Sequence, residues 1–72
     1  MNASDKYTAI TEVLQQYDFE QISHDQFYLL RDEIDMQFED QDIEDEKIFR
    51  AEVKSHVDGI VEIGVEKYLK DL

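Results

Sequence analysis

Apolar residues recur at Tyr7, Ile10, Val13, Leu14 and Tyr17, with steps of 3, 3, 1 and 3. That spacing lays them along one side of a helix turning 100° per residue, and it predicts a first helix over about residues 5 to 17. Ser4 stands where a cap belongs, and Asp5 suits the positive end of the helix dipole. After the connection DFEQIS, a second start signal appears in ISHDQF. Ser23 and Gln26 have the spacing of a capping box, and Ile22 and Phe27 that of a hydrophobic staple. A second helix is expected from about His24 to Glu39, with Phe27, Leu30, Ile34 and Phe38 as its core stripe.

The third apolar series is the widest. Phe49, Val53, Val57, Ile60, Val61, Gly64, Val65, Tyr68 and Leu72 predict one long helix from about Asp45 to Lys70. A band this broad implies contact with two neighbouring helices or with a second subunit. The stretch GIVEIGV (residues 59–65) is rich in β-branched residues, but no second strand candidate exists to pair with it, so helix is kept. Gly64 reads either as a point of close backbone approach or as a weak point where the helix kinks. The expected fold is all-α: a single small three-helix domain over residues 1–72, in which an antiparallel two-helix hairpin is followed by a longer C-terminal helix packed across both.

The second helix carries another series away from its core stripe. Asp25, Tyr28, Asp32, Asp35 and Glu39 are spaced 3, 4, 3 and 4, which holds them on one narrow face. Leu29 and Met36 border this acidic ridge and point away from the core. Six carboxylates then crowd the eight positions from Glu39 to Glu46, interrupted by Ile43. Asp40 and Asp42 extend the ridge into the connection that follows.

Charge sharpens the picture. The chain of 72 residues has 19 acidic and seven basic side chains, a formal charge of −12. Residues 1–46 hold 14 acids against Lys6 and Arg31, while residues 47–72 hold five of each, so the whole net charge lies in the first part. Such a field repels nucleic acid and anionic membrane and attracts cationic partners. High charge can accompany disorder, but 42% hydrophobic residues, with eight aromatic rings among them, favour a packed core. Absence of cysteine and of a long apolar run fits a cytoplasmic protein held together without disulfides.

Specific chemistry finds little support. Asp40, Asp42 and Glu44 alternate like the first ligands of a calcium loop, but Asp45 stands at the glycine position and Ala51 where the bidentate glutamate is needed. His24 and His56 belong to no metal motif; His24 is expected in solvent and His56 as a packed edge residue. Ser4, Ser23 and Ser55 lack a nucleophile elbow or triad. No enzyme activity, metal or cofactor is therefore expected. A helix-turn-helix role fails because the candidate recognition helix carries five acids against Arg31 alone.

The remaining expectation is a small acidic module that binds a basic, possibly nucleic-acid-binding, surface of a partner protein. The contact set would be Asp25, Tyr28, Leu29, Asp32, Asp35, Met36, Glu39, Asp40 and Asp42. Carboxylates supply long-range attraction, and an aromatic anchor with apolar neighbours supplies short-range affinity. Small acidic phage inhibitors, including DNA mimics and anti-restriction or anti-CRISPR proteins, are similar in size, charge and helicity, and no motif ties this chain to one family. The competing readings are a structural homo-oligomer, with a homodimer as its expected form, whose acidity serves solubility, and a weak divalent-cation-dependent regulator.

Overall fold

The computed structural model describes residues 1–71. It is all-helical, with no strand among the described residues. Helix α1 spans Ala3–Leu14, α2 His24–Phe38, α3 Glu46–Ile63 and α4 Val65–Lys70. The first three answer to the three apolar series; the fourth arises because the expected long helix breaks.

The break is at Gly64. Its φ of 108° and ψ of 118° lie where side chains with a Cβ are strained, and its N–H still closes α3 by donating to the Ile60 carbonyl at 2.9 Å. Its own carbonyl accepts from the Tyr68 N–H at 3.0 Å and so opens α4. No atom beyond its chain neighbours lies within 4 Å of where its Cβ would be, so of the two roles open to this glycine the structure has the kink, not a close approach. The continuous helix to Lys70 is corrected accordingly; Leu72, assigned to the same band, falls outside the described residues.

Helix α1 also begins earlier than its stripe implies. The cap is Asn2, not Ser4: Asn2 Oδ1 accepts from the Asp5 N–H at 2.8 Å, and Ser4 lies inside the first turn. At the other end the chain tightens after Leu14 into i→i−3 bonds, Gln16 to Val13 at 3.2 Å and Tyr17 to Leu14 at 3.3 Å. The box at Ser23 forms in both directions. Ser23 Oγ accepts from the Gln26 N–H at 3.3 Å, and Gln26 Oε1 accepts from the Ser23 N–H at 3.1 Å. Asp45 caps α3 by accepting from the Lys47 and Ile48 N–H groups at 2.9 and 3.2 Å. One of the crowded carboxylates thus has a local structural task.

The helices form a closed ring. α1 packs against α2 and α3, and α4, joined to the end of α3, packs against α2. The start of α1 meets the end of α2 around Tyr7, Asp35 and Glu39, which gives the antiparallel hairpin. The interior holds Ile10, Val13 and Leu14 of α1, Leu30, Ile34 and Phe38 of α2, and Phe49, Val53, Val57 and Ile60 of α3, all at most 5% exposed. Ile22 and Val65 close the ends of this core. Phe38 meets Phe49 edge-on, with ring centroids 5.7 Å apart. The wide apolar band is thus divided: its α3 part packs against α1, and its α4 part packs against α2. No helix is long and apolar enough to cross a membrane among the described residues.

The two glycines give opposite expectations. Gly59 is exposed within α3 with open space at its Cβ, so Gly59→Ala should stabilise the fold by about 1 kcal/mol. Gly64→Ala must force an alanine into a strained backbone and should cost roughly 1–3 kcal/mol. Urea melts of the two variants check both signs, and equal midpoints would contradict the assigned break.

Candidate partner-binding site

Helix α2 is flanked on both sides, and its neighbours divide the acidic ridge. On the α1 side, the Arg31 guanidinium lies over three rings: Tyr7 at 4.7 Å, Tyr28 at 5.1 Å and Phe27 at 5.7 Å. Tyr28 also meets His24 and Phe27 edge-on, at 5.2 and 5.6 Å. Arg31 makes no ion pair among the described residues, despite the excess of acids. Its Nε is buried against the rings without a hydrogen-bond partner. Aromatic faces, not carboxylates, hold the sole cation of α2, an attraction that strengthens on desolvation.

Asp35 is half-buried on this same side and lines a hollow with Glu39, Ser4, Lys6 and Tyr7. Lys6 Nζ donates to the Gln41 carbonyl there and ties the start of α1 to the connection after α2. On the α4 side, Glu33 accepts from the Tyr68 hydroxyl at 2.8 Å and from Gln37 Nε2 at 2.6 Å. The Tyr68 bond docks α4 onto α2, and the Gln37 bond, within α2, holds the Glu33 carboxylate in place.

Between the flanks lies an uncovered strip. Leu29 and Met36 are 61% and 72% exposed, and Asp25, Asp32 and Glu39 are exposed beside them. None of these three carboxylates has a hydrogen bond or ion pair among the described residues. Asp40 and Asp42 are exposed in the irregular connection from α2 to α3, where Ile43 turns inward against the core. The structure therefore brings Asp25, Leu29, Asp32, Met36 and Glu39 onto one open face. Tyr28, 47% exposed, stands at the edge of that face beside Arg31, Asp35 is half-buried toward α1, and Asp40 and Asp42 lie beyond the helix end.

Phe19, 80% exposed, is a prominent surface hydrophobe that helical periodicity does not single out. It sits in a single turn held by Asp18, whose Oδ1 accepts from the Glu20 and Gln21 N–H groups at 3.0 Å each. Gln21 Oε1 reciprocates to the Asp18 N–H at 3.2 Å, so DFEQ is a capping box that no helix follows. Phe19 and Tyr28 border one apolar cleft with Leu14 and Phe27.

The calcium-like series stays apart: no group of three or more potential ligands is placed to hold a metal ion among the described residues. His24 is exposed, and half-buried His56 packs edge-on against Phe38 at 5.7 Å, each in its expected setting. No family model, curated protein or solved structure matches the chain.

Two tyrosines are tuned by these contacts. Burial, and then the bond to Glu33 and its charge, push Tyr68 from 10.0 up to about 12. Tyr17, donating to Asp58, is likewise raised by burial and by that carboxylate. The folded state thus retains the Tyr68 proton more tightly than the unfolded chain. The associated stability is fully present below pH 10 and is lost as pH rises to about 12. Thermal melts across that window should fall more steeply for wild type than for Tyr68→Phe, which has no proton to lose there. Parallel curves would remove Tyr68 as the cause.

Proposed function

We propose that the chain is a small, non-enzymatic, acidic binding module that engages a basic surface of a partner protein in the cytoplasm. The observation that carries this reading is the open strip of α2, where two large apolar side chains stand exposed among three unpaired carboxylates. A solvated face has no use for exposed Leu29 and Met36, whereas a docking face needs apolar contact at its centre. The net charge of −12 steers cationic surfaces toward that strip and repels nucleic acid. If the partner's basic surface is a nucleic-acid site, occupying it would inhibit the partner, as acidic phage decoys do.

Self-association is the second reading. Ile48 and Ile63, exposed on α3 at 54% and 59%, favour it over a free monomer. Light scattering at tens of micromolar (an ordinary working range for such weak contacts) separates the two: a dimer abolished by Ile48→Ser and Ile63→Ser would support a homo-oligomer.

The binding reading is tested with the partner captured from the native host. Asp25→Lys with Asp32→Lys should weaken binding at least about tenfold, mainly by slowing association. The wild-type association rate should fall as salt passes ~0.1 M, where the Debye length drops below ~10 Å. Circular dichroism should stay unchanged, since neither aspartate touches the core. Wild-type affinity in the folded double variant would sink the proposal.

A further inference from the structure

The open strip has the register of a helix–helix seam. Asp25, Leu29, Asp32, Met36 and Glu39 step by 4, 3, 4 and 3, the alternation of d and a positions in a heptad. The strip is continuous over ~21 Å at 1.5 Å per residue. It is bounded by the Arg31–Tyr7 contact toward α1 and by the Glu33–Tyr68 bond toward α4. Apolar residues fill the a positions, and every d position is a carboxylate.

The geometry points to a partner that presents a basic amphipathic α-helix, packed lengthwise on α2, with apolar residues over Leu29 and Met36 and lysine or arginine over Asp25, Asp32 and Glu39. This rests on the binding reading above and specifies the element that the partner supplies. Charge complementarity selects that occupant. A second copy of α2 in parallel would oppose aspartate to aspartate; in antiparallel it would cover each carboxylate with leucine or methionine. Either arrangement buries carboxylates without a cation, which is unfavourable. Lysine and arginine avoid the penalty, because their stems lie along the apolar residues while their charged ends reach the carboxylates. The acidic d positions therefore both attract the basic helix and reject self-pairing through this face.

The test uses synthetic helical peptides of about three heptads. In one pair, leucine and lysine alternate along a single seam, spaced for each of the two chain directions. A control keeps the same residues but scatters them around the helix. Fluorescence anisotropy with the full chain should show one seam peptide binding at least ~tenfold tighter than the control. That preference should vanish in Leu29→Ser/Met36→Ser, and binding should weaken in Asp25→Asn/Asp32→Asn, with circular dichroism confirming both folds. Seam and control peptides binding equally, with loss only in the asparagine variant, would overturn the helix seam and leave the basic-surface reading standing. Failure of every peptide to bind, or binding indifferent to both variants, would overturn both. A dimer of the chain alone that Leu29→Ser/Met36→Ser abolishes would also overturn the inference.

Discussion

The apolar band from Phe49 to Tyr68 is too wide for one straight helix to bury, and the chain divides it at Gly64 between α3, which buries Phe49, Val53, Val57 and Ile60, and α4, which buries Val65. α1 packs along α3, and the break at Gly64 redirects the chain so that α4 packs against α2. The rest of the arrangement follows. Redirected at Gly64, α4 reaches α2, where Tyr68 bonds to Glu33. α2 is then gripped from both sides and keeps one face free.

Burial, not charge pairing, holds this assembly. A fully buried Leu, Ile or Phe contributes about 1.5–3 kcal/mol, and an exposed ion pair about 0–1 kcal/mol. The pairs of Arg50 with Glu12 and Glu46, of Lys54 with Asp58 and of Lys70 with Glu66 all lie at the surface. They offset part of the repulsion within a chain of charge −12 but cannot substitute for the core. Arg31 shows the same priority: it serves the α1–α2 contact by lying on three rings. Because its charge is spent on aromatic faces, the carboxylates of the outer strip remain unneutralised by their own helix.

This division gives the acids distinct tasks. Asp45 caps a helix, Asp18 holds a turn, and Glu33 and Asp58 accept bonds from tyrosines. Asp32 and Glu39 have no such internal use, and Asp25 only its place at the positive end of the α2 dipole. The strip they share with Leu29 and Met36 lies on a helix locked at both flanks, so a partner would meet a surface already in place and lose little to ordering it.

Local order was legible in the sequence wherever it depends on neighbours along the chain. The spacing of apolar residues located three helices, because burial requires one face per helix. Ser23 and Gln26 announced the start of α2, because a capping box closes within four residues. The acidic register of α2, with Leu29 and Met36 beside it, was equally visible, since helical periodicity alone orients those side chains. Features that depend on residues far apart were not. Periodicity could not choose between the two roles of Gly64, since the kink is favoured by what α4 gains on α2. It placed Asp35 and Tyr28 on one ridge with Asp32, but the arrival of α1 half-buries Asp35, while Tyr28 stays exposed with its ring beside Arg31. Phe19 escaped notice because its turn belongs to no stripe. Sequence determined which side chains each helix presents; only the packing of α1 and α4 decided which of them remained open to a partner.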